Sequence, residues 1–293
     1  MSEIIFGDNL EALKSLSDGS VDLIYIDPPF NTGKTQRLTS IKTLHDEEGG
    51  DRTGFQGKRY RTVSVGEQSY EDHFDDYLAF LEPRLNEAKR VLHASGSLFF
   101  HIDYREAHYC KILLDGIFGR ASFMNEIIWA YDYGGRPKRR WPAKHDCIFW
   151  YAHDPDNYTF NFDEMDRIPY MAPGLVGKEK AARGKTPTDV WWHTIVPTNS
   201  NERTGYPTQK PLGLLNRIVK VHSSPGDVVL DFFAGSGTTG EAAARNQRRF
   251  IMVDNHPEAV EIMAKRLSFA MPEFLGFKPQ ELPPVQPELL STP

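Results

Sequence analysis

A chain of 293 residues, 40% hydrophobic and 25% charged, can bury a full α/β core and carry a smaller attached module. Its formal charge of −6 argues against a uniformly basic nucleic-acid binder though not against a local basic patch, and its two cysteines give no disulfide framework. No apolar run approaches membrane-spanning length and no secretory pattern opens the sequence, so a cytoplasmic, non-membrane protein is expected.

Glu3–Phe6 reads as a short strand, and Gly7-Asp8-Asn9 turns into an amphipathic helix from Leu10 to Leu16 with Asp8 or Asn9 as its cap. Val21–Ile26 is a buried strand that delivers Asp27-Pro28-Pro29-Phe30 at its carboxyl end, the edge where open α/β sheets bind ligands. Two prolines remove two backbone donors and fix two φ angles, which leaves rigidly aimed carbonyls. Asp27 and the Pro28 carbonyl can accept the two N–H bonds of a planar amine, and Phe30 offers a face for its ring. Residues 34–70 are rich in Gly, Thr and basic side chains and read as a mobile loop.

From Asp72 to Leu92 the apolar spacing is helical, with Pro83 expected to kink or divide the helix. Gly96–Asp103 follows as a strand and Ala107–Phe118 as a helix. His101 and Asp103 end that strand, but no further ligands follow at metal spacing and no metal site is expected. Asn125–Tyr131 and Asp146–Tyr151 read as paired strands. The loop between them carries Arg136, Lys138, Arg139, Arg140 and Lys144 around Trp141 with no acid among them, a pattern suited to phosphate contacts. Residues 154–205 are an irregular insert with one strand-like run, Asp189–Ile195, and Leu212–Val221 is an amphipathic helix.

Val228–Phe233 is a second buried strand. It breaks into Gly235-Ser-Gly-Thr-Thr-Gly240 and then into a strong helix former, and the next strand ends on Asp254. Strand, glycine turn, helix and a late acid make a nucleoside-binding corner: the backbone can approach the ligand, the helix start offers free N–H groups, and the acid suits a ribose diol. The corner fits a dinucleotide as well as it fits S-adenosylmethionine. Little chain follows Asp254, so the rest of the sheet must come from upstream. A helix from Pro257 to Leu267 and a proline-rich tail over 276–293 close the sequence.

Asp27-Pro-Pro-Phe30, Tyr206-Pro-Thr-Gln-Lys-Pro211 and Phe233-Ala-Gly-Ser-Gly237, in that order, resemble the catalytic, preceding and cofactor motifs of the β-class amino-group DNA methyltransferases. The resemblance implies a Rossmann-like α/β fold with a mixed, mostly parallel sheet, permuted motif order and a small irregular recognition insert. It implies residues 1–153 as the catalytic half of the core, 154–205 as the target-recognition region, and 206–275 as the cofactor-binding half. S-adenosylmethionine is the implied cofactor, with Asp8 at its adenine, Asp254 at its ribose and Phe233 flanking it. Thr208, Lys210 and the turn Gly235, Ser236, Gly237 and Thr238 would surround the methionine end, and Asp231 belongs to the same set. Double-stranded DNA is the implied partner; a homodimer and a cognate restriction endonuclease are left open. Asp ahead of Pro-Pro favours adenine N6, with cytosine N4 as the alternative. Neither cysteine adjoins the motif, which disfavours thiolate chemistry at cytosine C5. A nicotinamide oxidoreductase would leave Asp27–Phe30 and the basic loop unexplained, and a non-catalytic DNA-binding subunit would leave the intact tetrapeptide unexplained.

Overall fold

The computed structural model describes residues 2–31, 34–45, 52–53, 59–72 and 76–278. The chain opens with β1 (Glu3–Phe6), α1 (Asn9–Ser15) and β2 (Val21–Ile26), then β3 (Lys34–His45), β4 (Arg52–Thr53) and β5 (Arg59–Asp72). It continues through α2 (Tyr77–Val91), β6 (Leu92–Asp103), α3 (Ala107–Phe118), β7 (Phe123–Ala130) and β8 (His145–Ala152). The irregular insert holds α4 (Lys178–Arg183) and β9 (Val190–Trp192). After it come α5 (Leu212–His222), β10 (Val228–Asp231), α6 (Thr238–Arg245), β11 (Arg249–Asp254), α7 (Pro257–Arg266) and β12 (Glu273–Leu275).

Nine strands form one sheet in the order β12-β1-β11-β10-β2-β6-β8-β7-β9. Among them β8 alone runs against the rest, pairing antiparallel with β6 and β7. The strands near the centre are apolar on both faces, as a sheet covered by helices on both sides requires. Along β2, Ile24 and Ile26 enter one apolar layer beneath α1, α2 and α3, while Leu23 and Tyr25 enter the other beneath α5, α6 and α7. The class expected from sequence is therefore the one observed: α/β, mixed and mostly parallel.

The permutation brings β2 and β10 side by side although about 200 residues separate them, with Leu23 opposite Val229 and Ile24 opposite Leu230. Asp27 after β2, Phe233 after β10 and Asp254 at the end of β11 consequently emerge on one edge. The β7–β8 loop leaves the same edge, since β7 runs in the same direction as β6.

Several elements depart from the sequence expectation. Residues 34–70 contain a ribbon where a loop was expected: β3 pairs antiparallel with β5 from Lys34–Asp72 to His45–Tyr60, and β4 adds a short third strand. The alternating Thr, Ile, Val and Tyr of these runs favour a pleated backbone. Residues 46–51 and 54–58 lie outside the described ones. Pro83 does not divide α2; it sits on the exposed face, where water can satisfy the carbonyl that loses its partner, while Leu81, Leu85 and Ala88 are buried along the other face. The run at Asp189–Ile195 becomes β9, which joins β7 in parallel, so the insert is tied into the main sheet. β12 was not foreseen, and the remainder of the tail, 279–293, lies outside the described residues.

Candidate active site

The glycine corner is held from beneath by two acids. Gly235 takes φ 49 and Gly237 φ 73, left-handed values that glycine adopts without strain. A Cβ on Gly237 would lie 2.8 Å from Met263 Cγ, and one on Gly235 would lie 3.0 Å from Tyr206 Cε1, so both positions are sterically closed as well. Asp254 accepts the N–H of Gly235 at 2.8 Å and that of His256 at 2.9 Å. Burial raises its pKa, and these hydrogen bonds oppose the rise. Asp231 is 2% exposed and accepts the Thr239 hydroxyl at 2.7 Å and the Phe233 N–H at 3.0 Å. Burial pushes its carboxyl up to about 7. Asp231 does not line the main cleft; it was grouped with the cofactor contacts from sequence, but its oxygens are spent inside the turn. The start of α6 is braced by Arg266, which donates to Thr238 Oγ1 at 2.8 Å and pairs with Glu241. Sequence reading missed Arg266, because α7 meets α6 only in the folded chain.

A cleft of about 290 Å³ opens between the corner and the Asp27 turn. Asp27, Pro28, Pro29 and Phe30 line one part of it, and Phe233, Asp254, Thr208 and Lys210 line another, with Phe80 and Arg84 of α2 beside them. Phe80 lies 6.1 Å from Phe233 ring to ring, and the Arg84 guanidinium stacks 3.9 Å over Phe80. A smaller cavity of about 20 Å³ shares Asp27, Thr208, Lys210 and Phe233 with the cleft and adds Asp231, Ser236 and Thr238. Asp8 stands outside: its carboxylate caps α1, accepting from Leu10 N at 2.9 Å and Glu11 N at 3.1 Å, and meets Arg84 at 3.3 Å. Gly7 and Asn9 line the cleft in its place. Of the two roles expected for Asp8, the structure displays the cap.

At the other end of the cleft, Asp27 is held by Lys210, whose ammonium donates to Oδ2 and lies 5.1 Å from the Phe30 ring centre. The next residue, Asn31, has φ 51 and donates to Glu106 at 3.1 Å, which ties the Pro-Pro turn to the start of α3. Behind the turn lies His101, 0% exposed. Tyr25 Oη is 2.6 Å from its Nδ1, and Asp146 Oδ2 is 3.2 Å from its Nε2. Tyr131 donates to Asp146 Oδ1 at 2.9 Å. Burial would raise the Asp146 carboxyl, but His101, with help from Lys210 and Tyr131, holds it below the usual range. Asp103, adjacent to His101 in sequence, turns instead to Arg105.

The basic loop divides. Lys144 donates to the carbonyls of Tyr133, Gly134 and Gly135 at 2.5, 2.7 and 3.1 Å, so it ties the loop's neck and is not presented to DNA as expected. Arg136 pairs with Asp132 at 2.7 Å. Lys138, Arg139 and Arg140 are exposed and have no partner among the described residues, and Trp141 beside them is 94% exposed.

Fold and edge together define a class, a Rossmann-like transferase that takes a nucleoside cofactor at the glycine corner and a second substrate over Asp27. The DNA methylase family of N6 and N4 methyltransferases matches residues 21–265, and the chain belongs to that family, whose methyl donor is S-adenosylmethionine. It is 30% identical over 274 residues to the type II methyltransferase M.HpaI of Haemophilus parainfluenzae, covering 94% of this chain and 76% of the relative. It is 31% identical over 280 residues to the DNA adenine methyltransferase YhdJ of Escherichia coli K12, covering 91% and 83%. Among solved structures, the fold resembles the PvuII cytosine-N4-specific DNA methyltransferase at TM-score 0.60 and 16% identity, over 90% of this chain and 86% of that one. It also resembles the M1.HpyAVI complex with S-adenosylmethionine at TM-score 0.58 and 21% identity, over 91% and 99%. The oxidoreductase reading of the glycine corner falls with this match. Among the described residues no helix is long and apolar enough to cross a membrane.

The residues at the cleft fit the cofactor's chemistry. Asp254 is a carboxylate beside aromatic walls, as a ribose and a purine require, and Gly235 lets Tyr206, which lines the cleft, pack against the turn.

Proposed function

We propose that this methyltransferase modifies the exocyclic N6 of an adenine turned out of double-stranded DNA. The carrying observation is Asp27 Oδ1, a buried carboxylate oxygen at the cleft with no hydrogen-bond partner among the described residues. A buried acceptor without a donor is costly, and an amine N–H would satisfy it. Asp before Pro-Pro and the adenine methyltransferase named among the relatives support adenine over cytosine N4.

Bound S-adenosylmethionine supplies an electrophilic methyl group on a sulfonium. Asp254, Phe233 and Phe80 would hold its nucleoside part, with Thr208, Ser236 and Thr238 near the methionine part. Asp27 and the Pro28 carbonyl accept the two N–H bonds of the target amine and aim its lone pair, because an acceptor pair on one side biases nitrogen toward tetrahedral geometry. Phe30 stacks on the base. Extrusion costs a few kcal/mol, and stacking at about 1–3 kcal/mol per base offsets part of it. Lys138, Arg139 and Arg140 contact phosphates, and exposed Trp141 adds a stacking face. Residues 154–205 read the target sequence. The type II methyltransferases among the relatives support a cognate restriction endonuclease as a further partner, and the enzyme works on the nucleoid when bound to DNA.

The test is single-turnover transfer of labelled methyl to duplex DNA, followed by nucleoside digestion and mass spectrometry. N6-methyladenine is expected; N4-methylcytosine would overturn the base assignment. Asp27→Ala should lower the rate on the order of 10²–10³-fold while leaving affinity for S-adenosylhomocysteine nearly intact, since the lost contact is strongest in the transition state.

A further inference from the structure

Three charges meet behind the target amine's seat: the Asp27 and Asp146 carboxylates and the Lys210 ammonium. The cluster therefore has one more negative than positive charge in a largely buried site, and the group lying between the two carboxylates is His101. Its Nε2 is 3.2 Å from Asp146 Oδ2, and its Nδ1 is 3.9 Å from the partnerless Asp27 Oδ1. Tyr25 Oη, also at Nδ1, keeps its proton, because burial and the neighbouring Asp27 and Asp231 push its pKa far up.

Methyl transfer to an amine leaves that nitrogen with a proton to lose, and Asp27, paired through Oδ2 with Lys210, turns its other oxygen toward His101. We propose that His101, oriented by Asp146, receives the target amine's proton through Asp27 and so acts as a proton-holding, positioning residue for the reaction. The first step breaks an amine N–H bond and forms Asp27 Oδ1–H, with the electron pair left on nitrogen. The second breaks Oδ1–H and forms His101 Nδ1–H, which regenerates the Asp27 carboxylate. The second transfer requires the 3.9 Å separation to shorten to hydrogen-bond length and Tyr25 to turn its hydroxyl from donor to acceptor. The imidazolium then lies between two carboxylates, with Tyr131 on the far side of Asp146 and Lys210 on the far side of Asp27, and as the product leaves the proton returns through Asp27 Oδ1 to water entering the cleft.

This inference rests on the amino-methyltransferase reading, and the wild-type protein separates the two: if it transfers no methyl to DNA, that reading fails first. Given wild-type transfer, the experiment is the pH profile of single-turnover rate for His101→Gln, with S-adenosylhomocysteine affinity and melting temperature as controls of folding. The expected result is a rate lowered on the order of 10²-fold and an acid limb that no longer coincides with that of wild type, since glutamine has no proton to gain and Asp27 alone remains to take one. A lowered rate with a profile parallel to wild type, or a rate near wild type, overturns the proposal and makes His101 structural. Should His101→Gln fail to fold, Tyr131→Phe decides. Removing one donor from Asp146 strengthens its hold on the imidazolium, so the acid limb of the rate profile should move up in pH. An unmoved limb would overturn the proposal as well.

Discussion

Replacing Asp231 by asparagine separates holding the glycine turn from holding the cofactor. Burial raises the Asp231 carboxyl from 3.8 to about 7, while the Thr239 hydroxyl and the Phe233 N–H pull the other way. The folded protein therefore keeps this proton where the unfolded chain has lost it. Stability due to the proton is complete below about pH 4 and is lost as pH rises toward about 7. At 1.36 kcal/mol per pKa unit, a rise of about three units is worth about 4 kcal/mol at most. Asparagine does not titrate, so the stability of Asp231→Asn relative to wild type should climb by up to about 1.4 kcal/mol per pH unit across that window and level off above it. Urea denaturation of both proteins at a series of pH values reads the difference directly. Affinity for S-adenosylhomocysteine should agree within about twofold, because both carboxyl oxygens are engaged by Phe233 and Thr239 although the residue lines the small cavity beside the cleft. A stability difference that is flat with pH, together with a large loss of affinity, would refute the argument and return Asp231 to the ligand.

Asp254→Asn should weaken S-adenosylhomocysteine binding by about 10–100-fold, as expected for loss of a charge-assisted acceptor worth about 1.5–3 kcal/mol; calorimetry with unchanged affinity would take Asp254 out of the ribose site. Because the Asp254 pKa is raised, the wild-type affinity should begin to fall on acidification at a higher pH than an ordinary carboxylate would give, and a pH-independent affinity would contradict this. Arg139→Ala combined with Arg140→Ala should weaken binding to cognate and random duplexes alike and reduce the slope of log affinity against log salt by about 2. Loss confined to the cognate duplex would make the loop a reader of bases.

The parts of this protein legible from sequence are those whose meaning is local. Asp27–Phe30 follows its strand directly, and the run from Val228 through Gly240 to Asp254 spells out strand, turn, helix and acid within one βαβ unit. The parts not legible depend on register or on competition between partners. His101 lies two residues before Asp103, and no metal site was expected there, but its actual partner Asp146 is reached only because β6 and β8 pair antiparallel, with Asp103 opposite Asp146. Lys144 is as basic as its neighbours, and nothing local says that three carbonyls will converge on it. Asp8 had two employments open, and the free N–H groups at the start of α1 took it. The β3–β5 ribbon was hidden by glycines and charges that resemble loop composition, although its β-branched residues alternate.

The position of β1 bears on how the enzyme comes into being. Glu3–Phe6 is flanked by β11 on one side and β12 on the other, so its backbone is paired by Arg249–Asp254 and Glu273–Leu275. β1 can therefore take its place only after the intervening chain has been made, and the Asp27 turn waits likewise for β10. A chain that stopped short of β10 would carry the complete Asp27–Phe30 tetrapeptide and neither the glycine turn nor Asp254. Sheet closure is thus what joins the two motifs, since they face one cleft only when β2 and β10 lie side by side.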